Sequence, residues 1–404
     1  MSPGKPVLRG ALLALLALAC EAPDEATAPD PPPSARPWRT EGSEARGREL
    51  LARYECNRCH EGVPGAVPPP REKHCVGCHA AIADGTLEGA PPAALPGWRA
   101  RVRSLREAPS LAVSARFDRD ALAAFLREPH DLRPELRATM PRLAIDERDA
   151  ADLATALVPG PPPAPLALSP ADAPRGRAIL EARACGSCHR MGGAPALPGV
   201  VAEGPAVRLA PDLRHARARY RPRALVAWLR DPRRFDPHAR MPPTGLGEEE
   251  ARAVAAHLFH AELAPAPVVE VPARLPLLAR PVTYTEVDRR LFAPLCRHCH
   301  GDPSFALGDG GPGHTGGFGF AARGIDLASV EGVASGHLRD GRRRSLFAPT
   351  EDGTPFIVAS LMARYAEVAG APVPGLRGMP LGLPPVPLED VQLLETWIAA
   401  GRPE

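Results

Sequence analysis

Three stretches of the chain carry hydrophobic residues at the spacing of an amphipathic helix. Acidic residues at the start of each suit the positive end of a helix dipole, and the apolar positions that follow share one helical face. The stretches and their apolar positions are 146–158 with Ala150, Leu153 and Leu157, 248–263 with Ala251, Val254 and Leu258, and 388–400 with Val391, Leu394 and Trp397. The pattern predicts a helix in each.

A shorter helical pattern leads into two cysteine-containing segments. In residues 47–54 and 176–183, a glycine lies nine positions before a cysteine, and two aliphatic residues lie six and five positions before it. Residues 287–292 fit the same pattern more loosely before Cys296. The repetition predicts a short amphipathic helix that runs directly into each of these cysteines.

The composition leaves these helices short of large side chains to pack. Aromatic residues make up 4% of the 404 residues, whereas 52 are proline. Either much of the chain is linker, or something other than side chains fills the cores. The length favours two to four domains. The formal net charge of +2 argues against a nucleic-acid-binding arm, so no nucleic-acid partner is predicted.

Eight of the nine cysteines form four copies of one motif, C-x-x-C-H, which is the attachment signature of c-type haem. Two thiols at this spacing add to the two vinyl groups of one porphyrin, and the adjacent histidine becomes the proximal iron ligand. The predicted covalent attachment sites are Cys56, Cys59, Cys75, Cys78, Cys185, Cys188, Cys296 and Cys299. The predicted proximal ligands are His60, His79, His189 and His300. The sequence therefore predicts four c-type haems, each with its iron.

Two other chemistries use paired cysteines. The first two pairs are separated by 15 residues, a zinc-ribbon spacing, but each carries the trailing histidine, and the other two pairs have no partner pair nearby. Disulfides suit an exported chain but leave the four histidines unexplained. Haem attachment explains both the cysteines and the histidines.

The sequence after the first and third motifs also repeats. Residues 108–111 match 210–213, and residues 121–129 match 224–232. In each copy a Met-Pro pair then follows, and after it comes one of the helices predicted at 146–158 and 248–263, which are called closing helices below. A third Met-Pro pair and closing helix end the chain.

This order of helix, C-x-x-C-H, proline loop, helix, Met-Pro and final helix resembles the class I cytochrome c fold. The resemblance covers most of residues 41–160 and 173–264. In that family the methionine of the late loop is the sixth iron ligand, which implies distal ligands at Met140, Met241 and Met379. The alternative for each is a methionine that fills a gap in the core.

Residues 282–404 resemble the cytochrome c domains first noted in planctomycetes, through the opening motif and the closing Met-Pro and Trp-Ile. The predicted fold class is mainly α, with three tandem cytochrome c-like helical domains joined by Pro-rich linkers. The predicted divisions are a signal peptide at 1–20, a Pro-rich tether at 21–40, a dihaem domain at 41–160, a linker at 161–172, a monohaem domain at 173–264, a linker at 265–281 and a monohaem domain at 282–404. The three domains are called units one, two and three below.

Unit one holds two motifs because it carries an insertion. The first motif lies 49 residues before its proline loop, against 22 in unit two, and the surplus of 27 contains residues 75–79. Met140 then belongs with the haem of His60. A rival pairing joins Met140 to His79, but no helical pattern precedes Cys75.

The inserted haem lacks an obvious sixth ligand. His130 and His74 are the candidates within unit one, although each is more often a surface histidine than a ligand. Five-coordinate iron, or a ligand from another domain, stays open. The other histidines, including His298 inside the fourth motif, are given no role.

The first twenty residues are typical of an export signal. A basic start and an apolar run at 11–19 are too short to span a bilayer, and residues 16–20 resemble a bacterial lipobox that ends at Cys20. We expect lipidation at Cys20, with ordinary cleavage or an uncleaved anchor as alternatives. The mature chain is expected in the periplasm or cell envelope, tethered to the membrane by a lipid anchor.

Iron held between histidine and methionine is closed to substrate and suits outer-sphere electron transfer. The predicted function is therefore a tetrahaem electron carrier that relays single electrons between redox partner proteins. One alternative is a haem enzyme, a peroxidase or an oxidoreductase of small sulfur or nitrogen compounds, that uses an open face of the Cys75–His79 haem. Another is the electron-entry subunit of a larger complex.

Overall fold

The computed structural model describes residues 1, 38–70, 73–102, 104–130, 132–136, 139–200, 202–301 and 311–404. The predicted signal peptide and Cys20 lie outside these residues. The described chain is mainly helical. Among the described residues, no helix combines the length and the apolar character needed to cross a membrane.

Units one and two share a helix before the motif, one after the proline loop and one at the end, whereas unit one has an additional helix in its insertion. The helices of unit one are α1 (Glu44–Arg53), α2 (Cys75–Asp84), α3 (Leu95–Arg101), α4 (Arg119–Arg127) and α5 (Glu147–Leu157). Those of unit two are α6 (Ala173–Ala182), α7 (Pro205–Leu209), α8 (Ala216–Arg219), α9 (Pro222–Arg230) and α10 (Glu248–His260). Short 3-10 turns lie at Cys56–Arg58, Leu111–Arg116, Pro170–Asp172, Cys185–Ser187, Leu213–His215 and Pro232–Arg234.

Unit three is built differently. Its helices are α11 (Tyr284–Val287), α12 (Gly311–His314), α13 (Val330–Ser335), α14 (Phe356–Val368) and α15 (Leu388–Ala399), and a π-helix spans Asp288–Cys296. Two short antiparallel strands, β1 (His337–Arg339) and β2 (Arg342–Arg344), pair in register His337 to Arg344. The three predicted closing helices are confirmed as α5, α10 and α15.

Glycine at the same place in units one and two lets two helices cross in close contact. Helix α1 packs on α5, and α6 packs on α10. A Cβ atom at Gly47 would lie 2.1 Å from the carbonyl oxygen of Asp152, and one at Gly176 would lie 2.0 Å from that of Ala253. The crossing therefore explains why the sequence repeats a glycine nine positions before the cysteine.

Each unit has its own hydrophobic core. The cores include Leu51, Tyr54 and Leu153 in unit one, Leu180, Val254 and Leu258 in unit two, and Phe292, Leu394 and Trp397 in unit three. Among the described residues, the largest wholly buried side chains are Trp397, Tyr54 and Phe292. Each of these cores therefore contains few aromatic rings.

Units one and two meet through a buried polar contact. The Arg221 Nε atom donates to Asp118 Oδ2 at 2.9 Å, and both side chains are buried. Phe117 and Tyr220 form an isolated antiparallel bridge, with their ring centroids 5.3 Å apart. The Arg116 guanidinium adds a cation–π contact, since it lies 4.0 Å from the ring centroid of Trp228.

Unit three docks on unit one at two places. The Phe318 amide donates to Glu55 Oε2 at 2.9 Å, and the Phe318 ring lies 4.9 Å from the guanidinium of Arg58. Elsewhere the Thr139 amide donates to the Gly382 carbonyl at 2.8 Å. These contacts fix unit three beside the first C-x-x-C-H motif and beside the Met-Pro loop of unit one.

The Pro-rich linkers lie along the units they join. Arg223 Nε donates to the Ala164 carbonyl at 2.8 Å, and the Leu278 amide donates to Thr396 Oγ1 at 3.0 Å. Both linkers therefore bind the surface of a neighbouring helix rather than only separating the units.

Candidate haem sites

The first and third motifs have the same local backbone. The residue before each is left-handed, with φ 49° and ψ 44° at Glu55 and φ 51° and ψ 37° at Ala184. In each motif the first cysteine then opens a 3-10 turn. Non-glycine residues seldom adopt this conformation, so its presence at two matching places indicates that the two motifs share one turn.

The predicted proximal histidines of these two motifs are held in the same way. His60 Nδ1 lies 2.8 Å from the Pro109 carbonyl, and His189 Nδ1 lies 2.9 Å from the Pro211 carbonyl. A carbonyl oxygen only accepts, so Nδ1 carries the proton and Nε2 keeps its lone pair for a metal. Burial lowers the pKa of both histidines, which favours the neutral imidazole that iron requires.

Each predicted distal methionine packs against the core that also contacts the first cysteine of one motif. Met140 and Cys56 pack against the core of unit one, Met241 and Cys185 against that of unit two, and Met379 and Cys296 against that of unit three. For Met140 this favours the pairing with His60 over the rival pairing with His79.

Met241 also has a polar contact. Its sulfur accepts a hydrogen bond from Trp228 Nε1 at 2.9 Å. The equivalent residue in the sequence repeat of unit one is Phe125, which has no such donor. The two matching sites therefore differ in what surrounds the sulfur.

Comparison with known families decides the interpretation of unit two. Residues 173–262 match the cytochrome c family. These residues form a cytochrome c domain. Such a domain implies haem-based electron transfer, so the chain carries at least one c-type haem and has redox partners. Cytochrome c domains typically act outside the cytoplasm. No curated protein and no solved structure matches the chain.

The second motif opens a helix instead of a 3-10 turn. Cys75 is the first residue of α2, and the His74 side chain caps that helix by accepting from the Gly77 amide at 3.1 Å. His79 Nδ1 lies 3.2 Å from the Ser104 carbonyl, the arrangement seen at the cytochrome c domain's histidine. The neighbouring Cys75 thiol and burial together raise the pKa of Cys59.

The fourth motif follows the π-helix, and its histidine has different surroundings. His300 Nδ1 is buried and has no hydrogen-bond partner in the part of the chain that the structure describes. Burial lowers the pKa of His300 to about 4. A Cβ atom at Gly313 would lie 1.9 Å from this nitrogen, so the imidazole packs directly on glycine backbone.

The two candidate sixth ligands of the predicted inserted haem lie in different surroundings. The Nδ1 atom of His74 accepts a hydrogen bond, so the proton of the neutral ring is on Nε2. In this tautomer Nε2 has no lone pair with which to bind iron. His130 lies between Phe125 and His215, with ring centroids 5.5 Å and 5.7 Å away. Neither arrangement supports binding to the iron of His79.

Sequence reasoning missed the residues that join the motifs. Arg58, inside the first motif, donates from Nε to the Lys73 carbonyl just before the second motif at 3.0 Å. His298, inside the fourth motif, lies with its ring centroid 6.2 Å from that of His79. The variable positions of C-x-x-C-H tolerate many residue types, so neither residue carried a sequence signal.

The zinc alternative gains no support from the geometry. Over the described residues, no group of three or more histidine, cysteine or acidic side chains is placed to hold a metal ion directly. All four cysteines of the first two motifs fall within those residues.

Proposed function

We propose that the chain is an exported tetrahaem c-type cytochrome that relays single electrons between redox partners. In this proposal the chain consists of a dihaem unit one, monohaem units two and three, and the linkers between them, as the sequence predicts. The histidines and cysteines of the four motifs hold the haems, and Met140, Met241 and Met379 supply distal ligands. The haems, when bound, would supply the redox-active iron.

The observation that carries this proposal is the contact between motifs. Arg58, inside the first motif, donates from Nε to the Lys73 carbonyl beside the second motif at 3.0 Å, and the thiols of Cys59 and Cys75, which belong to different predicted haems, lie close together. The thioether cysteine lies at the edge of its porphyrin, so this contact supports a short path between two haems. The contact of Thr139 with Gly382 also brings the Met-Pro loop of unit one beside that of unit three.

The protein environment tunes these sites in two ways. Burial keeps His60 and His189 neutral, and the carbonyls of Pro109 and Pro211 fix the tautomer that presents Nε2. A hydrogen bond to Nδ1–H also increases the electron donation of the imidazole. His300 has no such acceptor among the described residues, so its haem is expected to have a higher potential than a haem with that bond.

Attachment to a membrane is part of the proposal. It rests on the lipobox-like residues 16–20 that end at Cys20 and on the Pro-rich tether that follows. A lipid on Cys20 would hold the relay at the surface of a membrane.

The number of covalent haems tests the proposal. We expect the full chain, matured in a host with a c-type assembly system, to have the mass of the processed polypeptide plus four haems. Fewer than four would contradict it. Four haems with high-spin iron that binds CO or reacts with peroxide would instead favour the haem-enzyme alternative.

The Trp228→Phe variant tests the hydrogen bond to Met241. That bond withdraws electron density from the sulfur and favours ferrous iron, so its loss should lower one midpoint potential. We expect a fall of roughly 20–40 mV, since a hydrogen bond is worth about 1 kcal/mol and only part of it differs between oxidation states. The measurement is a spectroelectrochemical titration.

Trp397→Phe is the matched control for this variant. Trp397 Nε1 donates to the Pro403 carbonyl at 2.8 Å, so the same substitution removes a hydrogen bond that involves no methionine. We expect its four potentials to match those of the wild type. An unchanged or raised potential in Trp228→Phe would contradict the role given to the Met241 sulfur.

A further inference from the structure

We propose that His298, inside the fourth haem motif, is the sixth iron ligand of the haem attached at Cys75 and Cys78. This rests on the proposed function, because it requires a haem at both motifs. The inserted haem would then be held between His79 of unit one and His298 of unit three, and it would differ in ligation from the three histidine–methionine haems.

The spacing of the two rings carries the inference. The ring centroids of His79 and His298 are 6.2 Å apart, and the ring planes are inclined by 46°. Metal–imidazole bonds of about 2 Å, together with the distance from the nitrogen to the ring centre, put the centroids of two axial imidazoles about 6 Å apart. The observed gap therefore matches an iron bound on both faces by histidine.

The tautomer of His79 fits this arrangement. Its Nδ1 donates to the Ser104 carbonyl at 3.2 Å, so Nε2 keeps the lone pair that binds iron. By contrast, His74 has its proton on Nε2, and His130 lies against His215 of unit two. His298 is thus the histidine placed to complete this site.

Contacts that involve neither histidine hold units one and three together beside this site. Glu55 and Arg58 of the first motif contact Phe318 of unit three. Arg58 also donates to the Lys73 carbonyl, next to the start of the second motif. The same guanidinium therefore connects the first motif, the second motif and unit three, which holds unit three beside the second motif.

The ligand would also connect two redox centres. His298 lies between Cys296 and Cys299, which anchor the fourth haem. An electron that leaves the iron of His79 would then reach the fourth haem through one side chain and a few backbone bonds. The second motif would stand between the first, through Cys59, and the fourth, through His298.

The test uses the full chain with its haems attached. In the oxidised wild type, electron paramagnetic resonance and near-infrared magnetic circular dichroism should show one bis-histidine haem and three histidine–methionine haems. The variant His298→Ser places at this position the residue that the third motif already has, Ser187, so haem attachment should be retained. We expect it to convert one haem of the four to high-spin iron that binds CO when reduced.

Three further variants sharpen the result. His298→Met should restore a low-spin haem and raise its potential, whereas His74→Ala and His130→Ala should leave all spectra unchanged. Mass spectrometry of every variant counts the haems. Four attached haems with no bis-histidine signal in the wild type, or a His298→Ser spectrum like the wild type, would overturn the ligand while leaving the tetrahaem proposal intact. Fewer than four haems in the wild type would overturn both.

Discussion

Made without haem, the chain is expected to be largely unfolded. Aromatic residues are 4% of the sequence, and the described cores contain few wholly buried rings. Without porphyrin, the buried imidazoles of His60, His189 and His300 would also have no metal to satisfy them. Haem binding is therefore coupled to folding, as it is for structural metals. Far-UV circular dichroism of the haem-free chain should show a small part of the helix signal and no cooperative melt.

A variant that loses one haem gives the control. With both Cys185 and Cys188 replaced by alanine, unit two should lose its helix signal while units one and three retain their haems. A haem-free chain with native helix content and a cooperative thermal transition would contradict this dependence on porphyrin.

Gly176→Ala is expected to destabilise the protein with its haems attached. The added Cβ would meet the Ala253 carbonyl oxygen at 2.0 Å and its carbon at 2.6 Å, and backbone atoms move only if α6 and α10 separate. Overpacking of this kind costs about 2–3 kcal/mol, which outweighs the gain of up to about 1 kcal/mol from replacing glycine in a helix. Denaturant titration should show a corresponding fall in the free energy of unfolding.

Gly97→Ala provides the same substitution without the contact. Gly97 lies in α3, and a Cβ atom there would have no neighbour within 4 Å. We expect its free energy of unfolding to stay the same or rise slightly, because alanine is the better helix former. If the two variants were equally stable, the close crossing of α6 and α10 would not be what this glycine provides.

Much of the local structure was predictable because its signals lie within a few residues. The closing helices follow from apolar spacing, and α1 and α6 follow from the glycine and aliphatic pattern before Cys56 and Cys185. The haem motifs themselves are contiguous. What the sequence did not reveal was the reason for Gly47 and Gly176, since a glycine that permits a helix crossing looks like any other glycine in a sequence.

The contacts between units were not predictable. The hydrogen bond from Phe318 to Glu55 joins residues 263 positions apart, and no local pattern specifies such a pairing. Phe318 and Phe320 of unit three likewise pack against the core of unit one, although nothing in the sequence around them indicates that contact. The placement of His298 near His79 depends on this docking and was missed for the same reason.

The contact between units one and two resembles the interface between the two identical subunits of a homodimer. In the sequence repeat that aligns 121–129 with 224–232, Phe117 corresponds to Tyr220 and Asp118 corresponds to Arg221. Each residue therefore meets its own counterpart, as at the axis of a two-fold dimer. In a dimer of identical units, the buried position of Asp118 would set like charges against each other. Two copies joined in one chain can diverge independently, and that freedom is what allows an aspartate on one side to meet an arginine on the other.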